Sequence, residues 1–96
     1  PVGGWLKEPL EIDNVVATLK GSDAQNAGRI LLVTAHYDSR GTDYFDAKAR
    51  APGANDNASG VAVVLEAARV LSKSPMPATI LFLMAAGEEQ GALRCV

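Results

Sequence analysis

Two apolar runs, "RILLVTA" at residues 29–35 and "ATILFLMAA" at 78–86, flank a segment of helical periodicity, and this order constrains the chain most. Each run has the length and β-branched content of a buried strand. Between them Val61, Val64, Leu65, Ala68 and Leu71 or Ser72 recur at three- and four-residue spacing, which predicts a helix over 58–73. Pro75 and Pro77 close it, since proline cannot continue a helix. Strand, helix, strand in that order implies a right-handed βαβ unit in a parallel or mixed sheet, with "RILLVTA" as a central strand buried on both faces. A further strand is expected over 14–20, "NVVATLK", ended by Gly21, with turn chemistry in "GSDAQNAG".

The βαβ unit also says where chemistry should gather. In such sheets ligands bind beyond the carboxyl ends of the strands. The first apolar run ends in "HYDS" (36–39) and the second in "GEE" (87–89), and the helix opens beside "NDN" (55–57). Three polar clusters are therefore expected at one rim. A long polar loop, Asp38 to Asn55, lies between the first two. Loops of that length in compact domains are often functional. Its Asp43, Tyr44, Phe45 and Asp46 either border a specificity pocket or are simply solvated.

His36 is the sole histidine. Asp38 lies two residues on, on the same face of an extended stretch, where it can accept the second imidazole N–H. Asp56 can cap the helix, or leave that task to Asn57 or Ser59 and keep its carboxylate for cations. Glu88 and Glu89 repel each other, so either a positive charge lies nearby or the pair faces water as two solvated acids in the first turn of a helix. Neighbouring residues point in different directions, so one acid can bind a divalent metal while the other faces water. A metal lowers the pKa of a bound water to about 7, and a free carboxylate can then carry its proton to a leaving amine. Imidazole and carboxylates without thiolates suit Zn²⁺, and Mn²⁺ or Co²⁺ less often.

The composition removes other classes. Nine Lys and Arg against eleven Asp and Glu give a net charge of −2, with no basic face for nucleic acid and no polybasic segment for a membrane surface. The apolar runs fall far short of the roughly 18 residues that a membrane span requires. "PVGGWLKEPL" has neither the charged start nor the apolar stretch of a signal peptide, and no initiator Met, as expected of a processed or excised end. Cys95 has no second cysteine to pair with. The 96 residues read as one domain.

"HYDSR", "GANDNASGVAVVLEAARVL" and "ILFLMAAGEEQG" together resemble the core of the dizinc exopeptidases of the aminopeptidase Y and bacterial leucyl aminopeptidase type, over about Asn14 to Gly91. The resemblance implies a three-layer α/β/α sandwich with a mixed, mainly parallel sheet, of which residues 1–96 form the N-terminal part. It implies that His36 binds one zinc and Asp38 orients it. By the same resemblance Asp56 would bridge two zincs and be followed by a cis peptide bond, Glu88 would be the general base and Glu89 would bind the other zinc. The implied reaction is release of an N-terminal residue from a peptide with a free N-terminus. The implied setting is secreted or periplasmic. Members of this family supply a further Asp and His downstream of the paired glutamates; seven residues follow Glu89 here (96 − 89 = 7) and include neither. The chain alone is thus expected to be weakly active or inactive. The competing reading is a non-catalytic module that binds a metal or a partner. A carboxypeptidase-like or dipeptidase-like relative is a third. An open sheet edge, expected at strand 79–85, invites self-association or a complementing fragment.

Overall fold

The computed structural model describes residues 11–43, 45, 46 and 48–90. The expectations for the N-terminal ten residues, for Tyr44, for the stretch from Gly91 onward and for Cys95 lie outside them. Among the described residues three strands form, β1 Val15–Leu19, β2 Ile30–His36 and β3 Thr79–Ala85, with helix α1 Ser59–Leu71 between β2 and β3. The sheet order is β1-β3-β2. β2 and β3 are parallel, from Ile30 opposite Thr79 to His36 opposite Ala85. β1 runs antiparallel to β3, with Ala17 opposite Phe82. The expected βαβ unit and mixed sheet are present. Among the described residues the helix covers one face, giving two layers.

Two expectations change. β3, not β2, is the central strand, because β1 pairs with β3 rather than with its neighbour in sequence. The open edges among the described residues are therefore those of β1 and β2, and strand 79–85 has none. β2 is also not buried on both faces: Ile30, Leu31 and Leu32 are all at least half exposed. An apolar run records that a strand is suited to burial, and only packing decides which faces are covered.

The core forms where the strand period of 2 meets the helix period of 3.6. Ile80 and Phe82 of β3, Ala35 of β2 and Val64 of α1 are buried, with Val61, Ala67, Ala68, Leu71, Val33 and Met84 packed around them. Burying a side chain such as Phe82 contributes about 1.5–3 kcal/mol. Leu65, expected on the buried stripe, is 53% exposed, and Ala67 packs inward instead. On the opposite face, alternation directs Val16, Leu32 and Thr34 away from α1; Val16 and Leu32 are both 58% exposed. The helix ends as the prolines require, through a tightened turn in which the N–H groups of Lys73 and Ser74 donate to Val70 and Leu71.

Candidate metal centre

Parallel pairing brings the carboxyl ends of β2 and β3 to the same rim. The ladder continues one step beyond β2, where the Tyr37 N–H donates to the Ala85 carbonyl at 2.9 Å. Past β3 the chain must turn sharply. Gly87 does this at φ +77°, a left-handed conformation that glycine adopts without Cβ strain. A single 3₁₀ turn follows, Glu88–Gln90. Its first two N–H groups donate to one carboxylate: Glu88 N to Asp38 Oδ1 at 3.2 Å, and Glu89 N to Asp38 Oδ2 at 3.0 Å. Asp38 thereby joins the ends of two strands that lie fifty residues apart in the chain.

The third cluster arrives through the end of the long loop. Ser39 Oγ donates to the Ala51 carbonyl at 3.0 Å, and Ala58 N to the Gly53 carbonyl at 2.9 Å. Asp56 and Asn57, at φ −130° and −138°, break the helical path before α1. The Asp56–Asn57 peptide bond is cis, as the resemblance implied. The capping alternatives are also settled: Asn57 Oδ1 accepts from the Gly60 N–H at 3.1 Å. The Asp56 carboxylate is left for the rim, where its Oδ1 lies 3.1 Å from His36 Nε2.

His36 is the hub, with a side chain only 11% exposed. Its Nδ1 lies 3.1 Å from the Asp38 carbonyl, which can only accept, so Nδ1 carries a proton. Nε2 then faces Asp56 Oδ1 and, at 3.8 Å, Glu88 Oε2. A bare lone pair opposite two carboxylates is repelled, so the three atoms need a shared cation. Without a metal, a proton on Nε2 can fill that role. Burial alone would lower the His36 pKa. The Asp38 carbonyl, with the Glu88, Asp38 and Asp56 carboxylates, overrides burial and raises it above the ordinary 6.5.

A divalent ion satisfies the same geometry. One ligand atom each from His36, Glu88 and Glu89 lie within 4.8 Å of one another. The donors are imidazole and carboxylate, a set that fits zinc. The bond from Nδ1 to the Asp38 carbonyl fixes the tautomer that leaves Nε2 as ligand. Asp56 joins through Nε2 rather than through that triplet. The structure therefore brings His36, Asp38, Asp56, Glu88 and Glu89 together at one rim.

Arg40 is the contributor the sequence reading passed over. Its Nη2 lies 3.1 Å from Glu89 Oε2. A positive charge near the paired glutamates was one of the two expectations, and "HYDSR" contained it, but nothing in the spacing tied Arg40 to a residue 49 positions later (89 − 40 = 49). Asp38 likewise does more than hold an imidazole.

Residues 14–94 match the profile described as "Peptidase family M28". The chain belongs to peptidase family M28. The expected zinc-peptidase kinship is thus confirmed. Its relatives include a probable zinc metalloprotease of Leptosphaeria maculans, 48% identical over 91 residues, covering 95% of this chain and 21% of the relative. Another from Pyricularia oryzae is 53% identical over 90 residues, covering 94% and 18%. A third, from Pyrenophora teres f. teres, is 49% identical over 90 residues, again covering 94% and 18%. This M28 chain spans about a fifth of the length of these relatives. No solved structure matches it. Among the described residues, no helix is long and apolar enough to cross a membrane.

Proposed function

We propose that this segment provides the proton-transfer carboxylate and part of the zinc-binding set of an exopeptidase that releases N-terminal residues from peptides. One observation carries the reading: His36 Nε2 faces the carboxylates of Asp56 and Glu88, with Glu89 beside them, in a family of peptidases. His36, Asp56 and Glu89 would hold zinc. Zinc, when bound, supplies Lewis acidity that acidifies water and polarises a peptide carbonyl.

The remaining work falls to the chain's own groups. Glu88 is 42% exposed and faces the open side of the rim. Its carboxylate takes a proton from the attacking water and delivers it to the leaving amine nitrogen. Glu89 is 8% exposed, the better placed of the two to be a fixed ligand. Asp38 holds both glutamates by their backbone and His36 by its carbonyl, so that the proton acceptor and the ligands keep their spacing.

Glu88→Gln in the full-length protein tests the assignment. Turnover is expected to fall by about 10²–10⁴-fold, the usual contribution of a general base, with zinc content unchanged. Loss of zinc instead would exchange the roles of the two glutamates. Comparing free N-termini with acetylated ones separates an aminopeptidase from other peptidases.

A further inference from the structure

The Arg40–Glu89 pair is asymmetric. Glu89 is almost enclosed, at 8% side-chain exposure, whereas Arg40 is 63% exposed and reaches in from solvent. Glu89 is also one of the three residues whose ligand atoms cluster within 4.8 Å. The guanidinium and a divalent cation thus address the same carboxylate. Beside it stand Glu88 and His36, and His36 is in turn faced by Asp38 and Asp56. Asp38 is held by the Glu88 and Glu89 N–H groups, Asp56 and Glu88 reach solvent, and the nearly enclosed Glu89 has Arg40 as its cation. Among the described residues, Arg40 is the one Lys or Arg side chain ion-paired to this cluster.

We propose that Arg40 is the positioning counter-ion of the metal-free centre: it holds the Glu89 carboxylate aimed at the rim, and swings out to solvent as a divalent cation enters. This rests on the metal-centre reading above and adds a competitor to it. Two effects act in the same direction when Arg40 is removed. Glu89 loses its bound cation, and the field at the cluster becomes more negative. Zinc should therefore bind more tightly without Arg40, the reverse of what loss of a supporting residue would do.

The test uses the whole chain and zinc alone, in competition with a chromophoric zinc indicator. Arg40→Gln is expected to bind zinc about two- to fivefold more tightly at low salt, the range set by a partly exposed ion pair. The gain should fade near ~0.5 M salt, where screening is short-ranged. Arg40→Lys, which keeps the charge, should stay near wild type. In chelator Arg40→Gln should melt below wild type, and with zinc the two should coincide. Equal or weaker zinc binding by Arg40→Gln, or the same melting deficit with and without zinc, overturns the proposal. The wild-type chain gives an independent readout: the Arg40 side-chain NMR signals should change from restricted to freely rotating on zinc addition, and unchanged signals refute the exchange. If wild type takes up no zinc, or Glu89→Gln binds it equally well, the metal-centre reading itself fails and this proposal falls with it.

Discussion

Asp23 and Asp38 sit at opposite ends of the parallel strand pair and do the same job by different means. Each carboxylate accepts two N–H groups. Asp23 finds its partners at once: Gln25 N at 2.9 Å and the Asn26 side-chain amide at 2.5 Å. Asp38 finds its partners fifty and fifty-one residues away, at Glu88 and Glu89. The first makes a turn that its own sequence specifies. The second exists only after β2 and β3 have paired. Removing the first should disturb a loop, whereas removing the second should loosen the rim itself.

The largest effect is therefore expected from Asp38→Ala. It leaves two partly buried N–H groups without an acceptor, which costs about 2–4 kcal/mol. Urea unfolding in chelator would measure it, and zinc affinity should fall at least about tenfold as the two glutamates lose their fixed spacing. A loss no larger than that of Asp23→Ala would break the comparison.

Gly60→Ala should have an intermediate effect. A Cβ there would collide with the Asn57 side-chain amide, the group that caps α1. Glycine to alanine within a helix ordinarily gains about 1 kcal/mol. Here the lost cap outweighs that gain, for a net loss of about 0.5–1 kcal/mol. A stabilised Gly60→Ala protein would show that Asn57 yields freely.

The smallest effect belongs to Asp23→Ala, and pH should expose its origin. The Asn26 side chain and the Gln25 N–H hold the Asp23 carboxyl below its ordinary value of 3.8, against a slight opposing effect of burial. The folded state thus takes up its proton later than the unfolded chain as pH falls. Its contribution is present above the unfolded pKa and is lost as pH drops through the folded one. The small gap between wild type and Asp23→Ala should accordingly close below about pH 4. A gap that persists there would mean that the neutral Asp23 side chain holds the turn as well as its carboxylate does.

The two acids also mark what could be read in advance. The strand, helix and turn signals are local spacings, and β2, α1 and β3 begin and end within two residues of their expected limits. The convergence of "HYDS", "NDN" and "GEE" followed from one topological rule. The cap of α1 remained open among three residues, since Asp, Asn and Ser all suit it and only the backbone path before Ser59 selects Asn57. Leu65 and Ala67 exchanged places because the helix turned slightly from the face its periodicity suggested.

By itself, then, the sequence determined the elements, their order, and the set of imidazole and carboxylates that meets at the rim, because periodicity and turn chemistry act over a few residues. The tertiary structure alone decided that β3 is central, that one Asp38 carboxylate clamps the Glu88–Glu89 turn, and that Arg40 answers the charge of Glu89. Those pairings span tens of residues, and nothing in a local spacing encodes which distant group will arrive at a given side chain.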